Sequence, residues 1–179
     1  IEQLLECMKD GNVVAGALCA DGHKGYAQPI GSVIAYDNQI SVSGVGSDIS
    51  CGNLAVRLDV QASEIKDHLS RIAEDLNRDI SSGVSRSKDL NLEPSMTLDE
   101  AKSASVHAKP EHIVNLARKQ LGTIGGGNHY LDVFEDEDGF VWIGVHFGSR
   151  GIGAMIYNHF MKASKRRDGE NTILELSSD

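Results

Sequence analysis

Apolar side chains at positions 1, 4, 5 and 8 of the opening IEQLLECMKD share one helix face, and Gly11 behind them predicts where that helix stops. The run VVAGALCA (13–20) reads as a buried strand. DGHKGYAQPIG (21–31) then reads as a long glycine-containing loop leading into a second strand, SVIAY (32–36). A turn is expected at Asp37 and Asn38. Beyond it, QISVSGVG (39–46) and NLAVRLDV (53–60) read as strands on either side of a glycine-rich loop.

Between 61 and 80 the period changes to that of a charged amphipathic helix, with Ile65, Leu69, Ile72 and Leu76 on one stripe, and its role is structural. Residues 81–98 are serine-rich and irregular and read as a mobile surface loop. PEHIVNLARKQ (110–120) predicts a helix entered through proline. The segments YLDVFED (130–136) and FVWIGVHF (140–147), separated by Asp138-Gly139, predict a hairpin, and a last helix begins near Gly151. No internal repeat is visible.

At 179 residues the chain suffices for one sizeable core and is short for two, so a single domain or part of one is expected. Its start at Ile1, close to a hydrophobic segment, reads as a fragment or a processed product. No apolar run approaches the ~20 residues of a membrane span, and no secretory start is present, which reads as a soluble, cytoplasmic chain with no membrane partner. The three cysteines Cys7, Cys19 and Cys51 do not form a disulfide framework, and the first two read as core. A net charge of −9 argues against a broad basic surface for nucleic acid. It leaves room for a local one: Lys162, Lys165, Arg166 and Arg167 form a basic run, read first as a solvated helix end.

The chemistry concentrates in three glycine-bracketed strings, GVGSDISCG (44–52), GGGNHYLD (125–132) and VHFGSRGIG (145–153). They place Asp48, Cys51, His129 and His146 where glycine lets the backbone turn sharply or approach a ligand. Asp48 and Cys51 are three apart, so a tight turn can aim both at one ion, and a neighbouring cation keeps the thiol deprotonated. His129 stands at a strand mouth behind a loop whose amides can face an anion. After His146, Ser149 and Arg150 have the chemistry to contact phosphate oxygens. His23, in a fourth glycine loop, could touch substrate or brace a ligand. One thiolate with imidazoles suits zinc or iron as readily as manganese, and the ligand types do not choose among them.

Taken in order, with DGHKGYAQPIGSVIA upstream, these strings resemble the RtcB family of RNA-splicing ligases over most of residues 13–160. The resemblance rests on the Asp-x-x-Cys, Asn-His and His-x-Gly-Ser-Arg-Gly elements. It implies an α+β fold of mixed sheets with flanking helices, here the N-terminal part of one RtcB-like domain over 1–179 and thus an incomplete domain. It implies two manganese ions, the first held by Asp48, Cys51 and His129, with Cys51 bridging to a second that His146 also holds and whose site is incomplete here. Asn128, His129, Tyr130, Leu131 and Asp132 would lie against a guanylate from GTP. The implied reaction joins an RNA 3'-phosphate or 2',3'-cyclic phosphate end to a 5'-hydroxyl end, as in tRNA splicing or RNA repair. The histidine that accepts the guanylate has no counterpart after His146, so no catalytic residue is assigned, and a C-terminal half or an activating protein is an expected partner. Ser47, Ser50, Asp132 and Phe147 depart from the family pattern. Two other readings stand beside this one: a metal-dependent phosphoesterase, and a truncated metal-binding module that needs a partner chain.

Overall fold

The computed structural model describes residues 1–83, 94–95, 97–103, 109–164 and 171–176. In chain order, α1 (Glu2–Cys7) leads into β1 (Val13–His23), β2 (Ile30–Tyr36) and β3 (Gln39–Ser41). A one-turn helix α2 (Val42–Val45) follows, then β4 (Gly52–Gln61), α3 (Ala62–Ile65) and α4 (Leu69–Asp79), the last two separated by a 3-10 turn at Lys66–His68. After α5 (Leu98–Ser103) and α6 (Pro110–Gln120) come β5 (Tyr130–Glu135), β6 (Phe140–Phe147), α7 (Arg150–Ala163) and β7 (Ile173–Glu175). The class is α+β, and every strand pair among the described residues is antiparallel. Two compact units divide the chain: Ile1–Ile49 with Ala154–Asp179, and Ser50–Gly153.

In the first unit β1 and β2 form a two-stranded ribbon, and β3 pairs with β7. The strand expected from VVAGALCA is present, but most of it is exposed, as is Cys19. A ribbon buries only what another layer covers, and Met8 beyond α1 covers one point of it, at Gly16. Cys7 is buried as expected. QISVSGVG is a strand only to Ser41. There the Ser41 hydroxyl accepts from the Gly44 amide at 3.0 Å and caps a helical turn, so local capping overrides the strand pattern. Buried Ser41 and Asn171 are satisfied through a polar network: Ser41 Oγ donates to Asn171 Oδ1 at 2.9 Å, and Asn171 Nδ2 donates to the Cys7 carbonyl at 3.1 Å. Gln28 Nε2 reaches both side chains, at 2.9 and 3.0 Å. Hydrogen bonding of this kind removes the desolvation cost that buried polar groups otherwise carry.

The second unit is built on the three-stranded sheet β4-β6-β5, with β6 in the centre. The hairpin expected at Asp138-Gly139 is present, with Gly139 at φ 83°. Asp136 ties it: its carboxylate accepts from the Phe140 amide at 2.8 Å, the Asp138 amide at 3.0 Å and Trp142 Nε1 at 2.7 Å. The Trp142 hydrogen bond, with smaller help from the two amides and Arg57, holds that carboxyl below the ordinary aspartate range. Strand alternation sorts the sheet. Asn53, His146 and Tyr130 share one cross-strand row and one face, whereas Leu54, Val145 and Leu131 form the next row on the other. An apolar cavity of about 500 Å³ opens on that second face, lined by these three residues with Ile80, Ile124 and Phe147 among others.

The helix expected over 61–80 exists as three pieces rather than one. Its first turn is fixed by a capping box, in which the Gln61 amide donates to Glu64 Oε1 at 2.8 Å. Helix α6 starts at Pro110 as expected and buries Ile113 completely, as α5 buries Ala101. Helix α5 was not anticipated. Its signal is the string Thr97-x-x-Glu100: the Glu100 amide donates to Thr97 Oγ1 at 3.2 Å, and the Thr97 amide returns a bond to Glu100 at 2.7 Å. Most of the loop expected over 81–98, together with Lys165, Arg166 and Arg167 of the basic run, lies outside the described residues.

Candidate metal centre

Three ligand atoms meet in the second unit. Cys51 Sγ, one nitrogen of His129 and one of His146 all lie within 4.8 Å of one another. The sulfur is 3.4 Å from His146 Nε2 and 4.0 Å from His129 Nε2. With metal–sulfur and metal–nitrogen bonds near 2.3 and 2.1 Å, two such ligands on a tetrahedral ion stand ~3.6 Å apart. The spacing therefore fits a divalent cation, and so does the donor chemistry of one thiolate and two imidazoles.

Each side chain arrives by a different local device. Cys51 is the last residue before β4, and Ser50 beside it takes φ 62°, so the chain enters the strand through a left-handed step. His146 sits near the end of the central strand, directly between Asn53 on β4 and Tyr130 on β5. Tyr130 stacks on its ring at 5.8 Å between centroids and 24° between planes. The far nitrogen, Nδ1, lies 3.0 Å from Asn53 Oδ1, which also accepts from the Tyr130 hydroxyl at 3.4 Å. Asn128 Nδ2 is 3.5 Å from His146 Nε2.

His129 meets the His146 ring edge-on at 5.3 Å and is delivered by the glycine string before it. Gly125 is buried at φ 105°, and an added Cβ there would stand against His129 Nδ1 and 2.5 Å from Arg150 Nη1. Only glycine leaves room for the imidazole and the guanidinium to close over that backbone. The loop is pinned from outside by the Gly83 amide to the Gly125 carbonyl at 2.7 Å and the Ile124 amide to the Ser81 carbonyl at 3.0 Å.

The other expected residues take several positions. Asp48 lies between α2 and Cys51, half-buried, in the first unit, and is not among the three residues of the cluster. His23 also belongs to the first unit, exposed at the end of β1, where its Nδ1 bonds the Asp21 carbonyl at 2.7 Å. Arg150, at φ 56°, donates to the Gly83 carbonyl and so braces the glycine loop. Ser149 Oγ is enclosed and has no hydrogen-bond partner among the described residues. Tyr130 and Asp132 share the cluster's face of β5, whereas Leu131 turns its side chain into the apolar cavity on the other. Asn53 is the residue that the strings did not signal. It lies inside an apolar strand, and only the register reveals its place beside His146.

A family model described as "tRNA-splicing ligase RtcB" matches residues 5–178. The RNA-splicing ligase RtcB of Escherichia coli (strain K12) is 32% identical over 175 residues, covering 90% of this chain and 42% of that protein. The tRNA-splicing ligase RtcB of Archaeoglobus fulgidus is 30% identical over 200 residues, covering 87% and 42%. An RNA-splicing ligase RtcB homolog of Entamoeba dispar is 31% identical over 196 residues, covering 83% and 37%. The chain thus spans about two fifths of the length of the curated relatives it matches.

Proposed function

Because the chain belongs to the RtcB family of RNA-splicing ligases, we propose that it supplies the metal-binding, N-terminal part of one RtcB-like domain in an enzyme that joins RNA ends. The reaction proposed is GTP-dependent joining of a 3'-phosphate or 2',3'-cyclic phosphate end to a 5'-hydroxyl end, in the cytoplasm. What carries the reading is the convergence of Cys51, His129 and His146 from three separated strings onto one small volume. Divalent cations bound there, manganese in this proposal, would offset phosphate charge and so lower the repulsion toward an incoming hydroxyl.

The chain's own residues then have distinct tasks. In this proposal Cys51 and His129, with Asp48 by its spacing from Cys51, would hold one ion, and Cys51 and His146 would contribute to a second. Asn128, His129, Tyr130 and Asp132 would offer side chains to a guanylate, and Leu131 only its backbone, since its side chain faces the other way. The Ser149 hydroxyl, enclosed and without a hydrogen-bond partner among the described residues, would donate to a phosphate oxygen in this proposal. No residue of this chain is assigned the role of guanylate acceptor. Among the described residues no helix is long and apolar enough to cross a membrane.

Incubation with labelled GTP and Mn²⁺, followed by a denaturing gel, tests the division of labour. The 179 residues alone should carry no covalent label, and RNA joining should require a second polypeptide that completes the domain. Label retained on this chain alone would overturn the assignment. Phosphate release from RNA ends without GTP would point to a phosphoesterase instead.

A further inference from the structure

The cluster leaves one question open: which nitrogen of His146 carries the proton. A neutral imidazole has one donor and one acceptor nitrogen, and only the acceptor can face a cation. A free histidine side chain prefers its proton on Nε2. At this site Nε2 is the atom 3.4 Å from the Cys51 sulfur. Left to its own preference, His146 would therefore aim a hydrogen, rather than a lone pair, at the place where the ligands meet.

The sheet register supplies a remedy. Asn53 is the direct cross-strand partner of His146 on one side and Tyr130 is its partner on the other. Asn53 Oδ1 lies 3.0 Å from His146 Nδ1 and 3.4 Å from the Tyr130 hydroxyl. We propose that Asn53 is a positioning residue: its carboxamide oxygen holds the His146 proton on Nδ1 and so turns the Nε2 lone pair toward Cys51. This rests on the reading of Cys51, His129 and His146 as metal ligands.

Three observations converge on it. A carbonyl oxygen only accepts, so the nitrogen facing it must donate. The Tyr130 hydroxyl donates to the same oxygen at 3.4 Å, in keeping with a carboxamide whose oxygen faces the ring. The stacked Tyr130 ring sets the tilt of the imidazole, so the hydrogen bond selects a proton position on a ring already oriented. Imidazole ligands are ordinarily held this way, by a carbonyl or carboxylate on the nitrogen away from the metal.

The test uses the ¹⁵N-labelled 179-residue chain without metal, at a pH where the imidazole is neutral, with Asn53→Leu and Asn53→Asp beside it. Long-range ¹H–¹⁵N correlation reads the proton position, and Co²⁺ titration, followed by thiolate-to-cobalt absorption, reads affinity. Wild type and Asn53→Asp should carry the proton on Nδ1. Asn53→Leu should shift it to Nε2 and lose ~10–100-fold in Co²⁺ affinity, while Asn53→Asp binds at least as tightly as wild type. A wild-type proton on Nε2, or undiminished Co²⁺ binding by a folded Asn53→Leu, would overturn the proposal. Should Asn53→Leu fail to fold, the proton position in wild type and Asn53→Asp still decides. If wild type takes up no Co²⁺, the ligand reading falls, and the spectra alone decide whether Asn53 orients His146. A purely structural role would lower the melting temperature of Asn53→Leu without moving the proton.

Discussion

Alanine placed in turn at Gly125, Gly126 and Gly127 separates backbone strain from steric conflict at the candidate metal centre. At Gly125 both act: φ is 105°, and the new Cβ would press on His129 Nδ1 and stand 2.5 Å from Arg150 Nη1. An L-residue held at positive φ costs ~1–2 kcal/mol, and forcing a methyl into occupied space adds ~1–3 kcal/mol. At Gly127 only the first contribution applies, because φ is 70° and no atom lies within 4 Å of the new Cβ. At Gly126 neither does; with open space and no left-handed φ, alanine should be neutral or stabilise by ~0.4–1 kcal/mol through the unfolded chain. The expected order of stability in urea is therefore Gly126→Ala, then Gly127→Ala, then Gly125→Ala, spread over ~2–6 kcal/mol.

Metal binding divides the same series differently. Gly125→Ala must displace the His129 ring and should weaken Co²⁺ binding by at least ~10-fold, equal to ~1.4 kcal/mol. Gly127→Ala loses stability while its His129 stays in place, so its Co²⁺ affinity should match wild type. Urea unfolding followed by circular dichroism and Co²⁺ titration on the same preparations give both readings. The reasoning fails if Gly126→Ala loses as much as Gly125→Ala, or if Gly125→Ala binds Co²⁺ normally.

Other outcomes follow from single sites. Ile113→Ala removes a fully buried side chain from α6 and should cost ~2–5 kcal/mol by urea denaturation, with Co²⁺ affinity unchanged when measured on the folded fraction. Cys51→Ala should abolish binding at both proposed ions while His146→Ala spares one, and equal metal-to-protein ratios in the two variants would refute a bridging thiolate. Asp136 has its pKa lowered first by Trp142, so its contribution to stability is full above the ordinary aspartate range, ~4, and is lost as pH falls through the lower folded value. Fluorescence of Trp142, the single tryptophan, should report that acid transition, and Asp136→Asn should remove this part of the pH dependence.

What the sequence made legible, and what it hid, follows from the range of the forces involved. The β5–β6 hairpin and α6 could be read because their determinants, Asp138-Gly139 and Pro110, act within a few residues. The determinant of α5, the capping box of Thr97 and Glu100, is equally local, though no long apolar period follows it. Burial was less legible. VVAGALCA has the composition of a core strand, yet exposure depends on which layer covers the ribbon, and apolar composition is silent on that. Cys19, a core residue by its apolar neighbours, is exposed for the same reason.

The site divides along the same line. Cys51, His129 and His146 announce themselves because thiol and imidazole side chains between glycines are chemically unusual, and their meeting needed only that the three strings converge. Asn53 announces nothing, being an ordinary polar residue in an apolar strand. Its significance comes from a register that pairs residue 53 with 146 and 146 with 130, across loops of unrelated length. Register also decides how far the string GGGNHYLD can act as a unit. A strand sends successive side chains to opposite faces, so Tyr130 and Asp132 share the cluster's face of β5, while Leu131 between them is committed to the apolar cavity. A contiguous motif on a strand is thus two half-motifs, one for the ligand and one for the fold. On this reasoning, substitutions at 130 and 132 should alter binding at the cluster, whereas those at 131 should alter stability first.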